Sequence, residues 1–306
     1  MPAPVAIAVV SWNTRDLLRS CLASLHADVE SGRASVTVVD NASNDGSAEL
    51  VRAEFPWAEL IVSEANLGFG AAVNLAAKRS ETEWLAVANA DVELTAGALE
   101  HLLAAGAAHP RAAIIAPRLI GPDGETQHSV HPFPTLPLTL AFNLGLATLA
   151  ADRLTLEGGW DPERPRTVDW ALGAFLLVRR DAFQQIGGFD ERQWMYAEDL
   201  DLGWRATRAG WQTWFEPTAR VRHVGAAATA QAWGEARRER WVHSTYGWML
   251  RRRGLARTRA YALMNAAGAL ARMGLLRGAR RAEMREWFRL HREALLSSRD
   301  RLAGHN

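Results

Sequence analysis

The stretch WLAVANAD, residues 84–91, joins an apolar run to two polar residues, Asn89 and Asp91. The apolar run predicts a buried strand. A carboxylate directly after such a strand is costly unless it is paired or binds a cation. Because Mg²⁺ and Mn²⁺ prefer oxygen ligands, Asp91 is predicted to bind a divalent metal ion. The alternative is that Asp91 caps a helix that begins near Thr95.

Four other apolar, β-branched runs predict further strands on either side of this stretch. They are VAIAVV (5–10), SVTVV (35–39), ELIV (59–62) and AAIIA (112–116). Segments with helical periodicity lie between the strands, at 15–27, 46–54, 70–79 and 95–108. This alternation predicts an α/β fold with a mostly parallel sheet that is flanked by helices.

Polar residues and glycines follow the predicted strands, where open α/β sheets bind their ligands. The residues predicted to form this site are Ser11, Asn13, Asp40, Asn41, Asn66, Gly68, Gly70, Asn74 and Asn89. Asp40 is suited to accept a hydrogen bond from a pyrimidine N–H or a ribose hydroxyl. The turn at Gly68 and Gly70 allows backbone N–H groups to approach a phosphate. Taken singly, each residue is also explained by helix capping or turn chemistry.

The stretch WMYAEDLDLGWR, residues 194–205, places three carboxylates behind a Trp, a Met and a Tyr. One explanation is a helix start, because carboxylates in a first turn favour the helix dipole, and Asp201 and Arg205 form an i,i+4 ion pair. The other explanation is a catalytic base.

The composition of the chain changes after residue 120. Residues 121–167 are rich in Pro and Gly, and we predict an irregular insertion or mobile loop with helical character only at 138–151. Beyond it, the pattern predicts a strand at 168–180, a helix at 181–186, a strand at 211–216 and helices from about 233 onward.

Charge is distributed unevenly along the 306 residues. Residues 1–239 carry 20 basic and 30 acidic side chains, whereas residues 240–306 carry 15 basic and 4 acidic ones. Between Glu239 and Glu283 there is no acidic residue, and apolar side chains are interleaved with arginines. This composition is typical of a helix that lies on an anionic membrane surface. The alternative is a solvated helical face on a segment that packs against the catalytic domain.

Cysteine usage and hydropathy indicate the compartment. A single cysteine, Cys21, rules out an internal disulfide framework and favours a reducing environment. No basic leader precedes the first apolar run, so we expect no signal peptide. No window holds about 18 uninterrupted apolar residues, so we expect no membrane span. Together with the basic C-terminal segment, this predicts a cytoplasmic protein at the inner face of the cell membrane.

Several motifs, in this order, resemble a family 2 glycosyltransferase of the rhamnosyltransferase-like group. They are DNASNDGS (40–47), NLGFGAAVN (66–74), NAD (89–91), GAFLLVRRDAFQQIGGFDE (173–191) and MYAEDLDLGWRATRAGW (195–211), and the match runs from about residue 4 to residue 226. The resemblance implies a GT-A catalytic domain at 1–232, with a nucleotide-sugar half at 1–120 and an acceptor half at 121–232. A basic helical extension follows at 233–306.

The resemblance implies transfer of a sugar from a nucleotide diphosphate donor to a hydroxyl, with inversion at the anomeric carbon. Asp40 contacts the nucleobase, and Gly173 and Ala174 form a close wall for the donor or the acceptor, although a strand bulge also explains a glycine at 173. Asp91 is the metal-binding position of the family's DxD motif, and His223, which alone is more typical of a structural residue, completes the Mg²⁺ or Mn²⁺ site. The first Asp of DxD is here Asn89, which leaves one carboxylate for the metal.

In the family, the acidic pair of EDLDL supplies the general base, which by match is Asp199, with Glu198 the second choice. Trp194 and Tyr196 are expected to stack on the acceptor. The donor implied first is dTDP-rhamnose, with UDP sugars next, and the acceptor is a polyprenyl-linked or polysaccharide hydroxyl.

Two other functions fit parts of the sequence. A sugar-phosphate nucleotidyltransferase also uses an α/β sheet and Mg²⁺, but it needs a Gly-rich loop with Arg and Lys near the N-terminus, and SWNTRD (11–16) supplies none. A nucleic-acid-binding protein would use the C-terminal arginines, but no recognition motif accompanies them. We therefore expect no nucleic-acid partner.

Overall fold

The structure is a computed structural model that describes residues 4–225 and 234–303. Its strands are β1 (Val5–Ser11), β2 (Ala34–Asp40), β3 (Glu59–Val62), β4 (Trp84–Asn89), β5 (Val92–Leu94), β6 (Ala112–Ile120), β7 (Val130–His131), β8 (Arg166–Val168), β9 (Trp170–Ala171), β10 (Phe175–Arg179) and β11 (Gln212–His223). Its helices are α1 (Arg15–Glu30), α2 (Ser47–Glu54), α3 (Phe69–Ala77), α4 (Ala98–Ala108), α5 (Leu136–Asn143), α6 (Arg180–Gln185), α7 (Glu198–Arg208), α8 (Arg237–Arg253), α9 (Leu255–Leu275), α10 (Gly278–Leu296) and α11 (Arg299–Ala303). Single 3₁₀ turns span Leu146–Ala150 and Gly234–Ala236.

Within the described residues, nine strands form one sheet in the order β3-β2-β1-β4-β10-β6-β11-β5, with β8 paired to β11. The first four strands pair in parallel, as predicted. The sheet is nevertheless mixed, because β10 runs antiparallel between β4 and β6, and β5 and β8 run antiparallel to β11. The predicted α/β fold with a mostly parallel sheet is confirmed, because β1 to β4, β6 and β11 run in one direction, and β5, β8 and β10 run against them.

The predicted strands that open the chain are found within a few residues of their expected ends. β1 and β4 lie inside the sheet, each with a strand on both sides, and are buried almost throughout. Helices α1, α2 and α4 contribute leucines and Cys21 to the same core. Strands that are buried on both faces read as continuous apolar runs, which explains why these elements are visible in the sequence.

A short strand not predicted from the sequence, β5, follows Asp91 directly. It pairs with the end of β11, so that Val92 faces His223. The helix predicted at 95–108 begins only at Ala98, after Gly97 in a left-handed conformation. The alternative that Asp91 caps this helix is therefore wrong, because three residues of strand separate Asp91 from the turn that starts it.

The strand predicted over 168–180 is interrupted. β8 pairs with β11 in the main sheet, β9 pairs with β7 in a separate two-stranded sheet, residues 172–174 belong to no strand, and β10 returns to the main sheet. The Gly173 N–H donates to the carboxylate of Asp199 instead of to a neighbouring strand. The apolar run therefore contains a turn, in which a backbone N–H donates to the side chain of Asp199 on α7.

Two compact units divide the chain. One contains residues 1–131 and 161–234, and the other contains 132–160 and 235–306. The second unit thus combines the C-terminal helices with α5 and its 3₁₀ turn, a segment that the sequence assigned to the acceptor half of the catalytic domain. Thr135 caps α5 by accepting from the Leu138 N–H. Within the described ranges, no helix is long and apolar enough to cross a membrane.

Candidate active site

The carboxyl ends of β1, β2 and β4 open onto a pocket of about 280 Å³. Nine of the residues predicted from the sequence line it: Asn41, Asn66, Asn89, Asp91, Gly173, Tyr196, Glu198, Asp199 and His223. Three segments far apart in sequence, around residues 91, 198 and 223, meet there. This is the edge of the sheet at which open α/β folds bind ligands.

Asp91 and His223 form a buried pair in this pocket. The antiparallel register of β5 and β11 brings them together, and the Val224 N–H donates to the Asp91 carbonyl at 3.0 Å. Asp91 Oδ1 and His223 Nε2 lie 3.5 Å apart, and neither atom has a hydrogen-bond partner in the described part of the chain. Buried polar atoms without partners are costly, so this pair has the character of a ligand site.

Gln127 fixes the ring of His223. Its Nε2 donates to the His223 carbonyl at 2.8 Å, which leaves its Oε1 as an acceptor 2.7 Å from His223 Nδ1. The Nδ1 atom must therefore carry the proton, and the lone pair of Nε2 points toward Asp91. Burial lowers the pKa of His223, and Asp91 only partly offsets this effect, so the imidazole is neutral, as a metal ligand must be.

Glu198 and Asp199 begin α7 and line the same pocket. Tyr196 and Ala197, immediately before them, both have left-handed backbone conformations, with φ of 61° and 59°. Non-glycine residues rarely adopt this conformation, and such strain concentrates at functional sites. The tight turn directs the first-turn carboxylates into the pocket and not to solvent.

The two carboxylates differ in their surroundings. Asp199 accepts from the Gly173 N–H at 3.0 Å through Oδ2 and from the Leu200 N–H at 2.7 Å through Oδ1. Glu198 is buried, and its Oε2 has no hydrogen-bond partner among the described residues. Burial raises the pKa of Asp199, although its backbone hydrogen bonds oppose the shift. Burial and the neighbouring Asp199 raise the pKa of Glu198 well above its usual value.

The predicted ion pair of α7 is confirmed. Asp201 is buried, and the Nε of Arg205 donates to it at 2.6 Å. The Nη1 of Arg205 also donates to the carbonyl of Ile186, at 2.6 Å. The third carboxylate of the stretch therefore anchors the helix, while the first two face the pocket.

Glu198→Gln is expected to stabilise the fold at high pH and to have little effect at low pH. Because the pKa of Glu198 is raised in the folded protein, the folded state holds this proton more tightly than the unfolded chain. Stability is therefore lost as the pH rises from the unfolded value of about 4.3 through the folded value, and an uncharged Gln avoids that loss. Thermal denaturation between pH 4 and pH 8 measures it.

The matched control for this prediction is Glu64→Gln, because Glu64 is exposed. We expect its midpoint of denaturation to follow that of the native chain at every pH. If Glu198→Gln raised the midpoint of denaturation by the same amount at both ends of the pH range, the prediction would be contradicted.

Asp40 lies at the end of β2, next to the pocket residue Asn41. It is buried, its Oδ2 accepts from the Ser43 N–H, and its Oδ1 has no partner in the described chain. Asn41 binds Asn66 at 3.0 Å and accepts from the Leu67 N–H at 2.9 Å. The two asparagines thus hold the loop before α3, and Asp40 keeps one acceptor free.

Other predicted residues lie outside the pocket lining and have structural contacts. Ser11 bonds to Thr14, and Asn13 joins the loop after β2 by accepting from the Asn44 N–H. Asn74 binds both the N–H and the carbonyl of Phe189. These contacts connect loops around the site, and the predicted role of the three residues in binding a nucleotide sugar remains a prediction.

The glycines of NLGFGAAVN provide close packing. A Cβ at Gly68 would lie 2.2 Å from the Trp194 carbonyl oxygen, and a Cβ at Gly70 would lie 2.8 Å from Phe189. The indole N–H of Trp194 donates to the carbonyl of Asn66. Trp194 therefore stabilises this loop and lies outside the pocket lining. Tyr196 lines the pocket. Both were predicted to contact the acceptor.

Several lining residues were not predicted from the sequence. They are Val10, Trp12, Thr14, Phe69, Ala90, Leu172 and Met195, whereas Ala174, predicted as a wall beside Gly173, lines the pocket as a tenth predicted residue. Most are apolar, and their sequence context matches that of core residues. Trp12 is the exception, because a half-buried Trp directly after a strand is a recognisable candidate for stacking on a base or sugar.

A second group of potential metal ligands lies on α8 and α10, where Glu239, His243 and Glu293 approach one another. The guanidinium of Arg289 contacts both carboxylates, at 3.3 Å and 3.1 Å. The negative charge is therefore already paired, and we assign no metal to this group.

The sequence matches the family described as Glycosyl transferase family 2 over residues 6–187, and a related description, Glycosyl transferase family group 2, over residues 161–290. An N-acetylglucosaminyl-diphospho-decaprenol L-rhamnosyltransferase from Mycobacterium tuberculosis is 36% identical over 244 residues, which is 74% of this chain and 77% of that protein. The rhamnosyltransferase WbbL of Escherichia coli is 30% identical over 131 residues, 42% of this chain and 47% of that protein.

A mannosyltransferase from Pyrobaculum calidifontis, solved with GDP-Man and Mn²⁺, is similar in structure, with a TM-score of 0.59, 16% identity, and 96% of this chain and 87% of that chain covered. GalNAc-T7, solved with UDP, GalNAc and Mn²⁺, has a TM-score of 0.58 at 14% identity and covers 95% of this chain and 54% of that chain. At these identities the likeness supports the GT-A fold alone.

Proposed function

This chain belongs to glycosyl transferase family 2 and is a glycosyltransferase, and from that membership we propose that it transfers rhamnose from dTDP-rhamnose to a polyprenyl-linked saccharide. The name of the Mycobacterium tuberculosis relative supplies the sugar and the class of acceptor. The observation that carries the proposal is one pocket that holds both a pair of buried, unpartnered ligand atoms and two carboxylates with raised pKa values.

The donor is proposed to bind along the ends of β1, β2 and β4. The free Oδ1 of Asp40 is suited to accept from the N3–H of thymine or uracil. Asn89 and Gly173 also line the pocket, and we propose that they contact the donor. UDP sugars are the second choice of donor, because both bases present the same N–H.

Asp91 and His223 are proposed to hold Mg²⁺ or Mn²⁺. The residues fit this role, because a carboxylate oxygen and a neutral imidazole nitrogen lie buried, unpartnered and 3.5 Å apart. A bound divalent ion would neutralise the charge that develops on the departing diphosphate. Mn²⁺ in the two similar solved structures supports the same ion class.

Asp199 is proposed to act as the general base. As the acceptor oxygen attacks C1 of the sugar, its proton passes to the Asp199 carboxylate, and the bond from C1 to the diphosphate oxygen breaks with inversion. The backbone N–H groups that bind Asp199 fix its orientation. Each of its oxygens retains acceptor capacity, and burial makes the carboxylate more basic. Glu198 is the second candidate, with Tyr196 beside the acceptor.

The proposed place of action is the cytoplasmic face of the membrane, with the protein attached peripherally. A polyprenyl-linked acceptor is itself confined to a membrane, so the transferase needs a contact with the membrane surface to reach it. Anionic lipids would attract the arginines of the C-terminal segment.

Donor hydrolysis across a panel of nucleotide sugars tests the proposal. We expect slow release of one nucleoside diphosphate, faster with Mn²⁺ or Mg²⁺ than with a chelator, and highest with dTDP-rhamnose. Acceptor-dependent transfer would then be assayed with that donor and a polyprenyl-linked N-acetylglucosamine. Hydrolysis and transfer with a different sugar would replace the rhamnose assignment, and binding of no nucleotide sugar would reject the proposal.

Gln127→Leu is expected to weaken the binding of Mn²⁺ by about 10- to 100-fold, because it removes the acceptor that fixes the ring and tautomer of His223. Titration calorimetry with Mn²⁺ alone measures this without any turnover. Gln127→Glu keeps the acceptor for Nδ1 but places a carboxylate oxygen against the His223 carbonyl, so it is expected to retain only part of the affinity. Equal affinities for the Leu variant and the native chain would show that the contact between Gln127 and His223 does not support a metal site.

A further inference from the structure

The helical unit, residues 132–160 and 235–306, exposes groups of leucines on α5 with its 3₁₀ turn and on α9. On α5 and its 3₁₀ turn, Leu140, Phe142, Leu144, Leu146 and Leu149 are exposed, Leu149 by 85% and Leu144 by 63%. No Asp, Glu, Lys or Arg occurs between Glu125 and Asp152. Single exposed leucines are ordinary, but four leucines and a phenylalanine within ten residues of uncharged chain form a feature that needs an explanation.

The adjacent helix α9 is apolar on two faces. One face is buried within the unit through Thr258, Ala262 and Ala266, spaced by four residues. The other face exposes Leu263, Ala267, Leu270, Gly274 and Leu275, at helical spacing and without a polar side chain. A helix with only the first face would be an ordinary packed helix. No described residue of the unit covers the second face.

The two sets of leucines belong to elements that pack together. Gly268 allows this packing, because a Cβ there would lie 1.7 Å from Asn143 Oδ1. Arg272 of α9 donates to the same Asn143 oxygen at 2.9 Å, and its guanidinium lies over the ring of Phe142. We call the exposed leucines of α5, its 3₁₀ turn and α9, together with Phe142, the apolar face.

Charge on either side of α9 is mainly positive. Arg257 and Arg259 are exposed at the start of α9, and Arg277, Arg280 and Arg281 are exposed just beyond its end. The nearest acidic residues along the chain are Glu239 and Glu283 for α9, and Asp152, followed by Arg153, for the 3₁₀ turn. Leucines flanked by arginines without intervening acidic groups are the pattern of an interfacial helix on an anionic bilayer.

We propose that the apolar face inserts into the surface of a bilayer that contains anionic lipids, with the leucines among the acyl chains and the arginines at the headgroups. This deepens the proposed function by naming the face that contacts the membrane, and it assigns the deepest insertion to the 3₁₀ turn at 146–150 and not to the arginine-rich helices. A second copy of the chain is a poorer occupant, because a twofold contact through this face would bring arginines against arginines.

Sedimentation of the full chain with lipid vesicles tests the inference without donor or acceptor. We expect binding to vesicles of phosphatidylcholine with phosphatidylglycerol, weaker binding to phosphatidylcholine alone, and a decrease with added salt. The double variant L144S/L149S is expected to lose about tenfold in affinity, because two exposed leucines no longer enter the acyl region. The double variant R280E/R281E is expected to lose roughly fivefold for each arginine.

Matched controls come from the same unit. Leu296 is 67% exposed and Arg292 is exposed on α10, outside the apolar face, so L296S and R292E should bind vesicles as the native chain does. All variants change exposed side chains, and circular dichroism checks that they fold alike. Binding of Mn²⁺ and nucleotide sugar should be unchanged in all of them, so loss of vesicle binding and failure of the proposed function are separate results.

Three results would overturn the inference. One is a native chain that does not sediment with anionic vesicles. Another is an L296S variant that loses as much affinity as L144S/L149S. The third is a concentration-dependent dimer in analytical ultracentrifugation that L144S/L149S abolishes, which would make the apolar face an interface between copies of this chain.

Discussion

Asp199→Asn is expected to lower kcat for transfer to the acceptor by about 10²- to 10⁴-fold, the range that general bases contribute. The amide oxygen of Asn can still accept from the Gly173 N–H, but its NH2 group cannot accept from the Leu200 N–H, so circular dichroism must show that the variant folds as the native chain does. Donor binding should be kept. What is lost is the group that takes the acceptor proton. Steady-state kinetics with the identified donor measures kcat, and titration calorimetry confirms that donor affinity is unchanged.

Two neighbouring carboxylates in α7 make this prediction specific. Glu198→Gln should cost less in kcat than Asp199→Asn if Asp199 is the base, and a reversed order would assign the base to Glu198, whose Oε2 is the freer atom. Asp201→Asn removes the charge that Arg205 pairs with, so it should lower the free energy of unfolding and leave kcat of the folded enzyme nearly unchanged. An Asp199→Asn enzyme with native kcat would exclude Asp199 as the base.

The elements that the sequence predicts well are those whose pattern is local. Strands β1 to β4 lie in continuous apolar runs separated by helices, and each run shows its nature without knowledge of its partner. Strand β5 has only three residues and exists because β11 pairs with it. The turn at Gly173 lies inside an apolar run and depends on a hydrogen bond to Asp199, 26 residues later. Neither feature has a signal in its own segment.

The same distinction applies to the site. Asp91 was suspected from a local fact, the cost of a carboxylate after a buried strand, but its partner His223 came only from the family resemblance. Gln127 was missed because it lies in a Pro- and Gly-rich segment that predicted only irregular chain, and its contact with His223 spans 96 residues. The glycines at 68 and 70 were predicted to approach a phosphate, yet the space they leave is filled by Trp194 and Phe189. A glycine in a sequence can indicate that another group lies close to its Cα atom, but it does not indicate whether that group is a ligand or a side chain.

Asp91→Asn is expected to weaken the binding of Mn²⁺ by more than about 100-fold, beyond the 10- to 100-fold cost of losing a residue that only supports a ligand. Asn89 stands at the first position of the DxD pattern, so Asp91 is the one carboxylate of that motif. An Asn at position 91 keeps an oxygen but not the charge that a divalent ion needs. Transfer should fall with metal affinity, because the charge on the departing diphosphate would no longer be neutralised.

Two variants on either side of Asp91 complete this test. Glu93→Gln is the matched control, because Glu93 lies on β5 near Arg222 and outside the pocket lining, and it should bind Mn²⁺ as the native chain does. Asn89→Asp restores the second carboxylate in a residue that lines the pocket, so it should tighten Mn²⁺ binding. Titrations of the metal alone, without nucleotide, separate these effects from catalysis. If Asp91→Asn binds Mn²⁺ as tightly as the native chain while Asn89→Asp gains nothing, then the ion does not bind at this edge of the sheet, and the unpartnered atoms of Asp91 and His223 require another ligand.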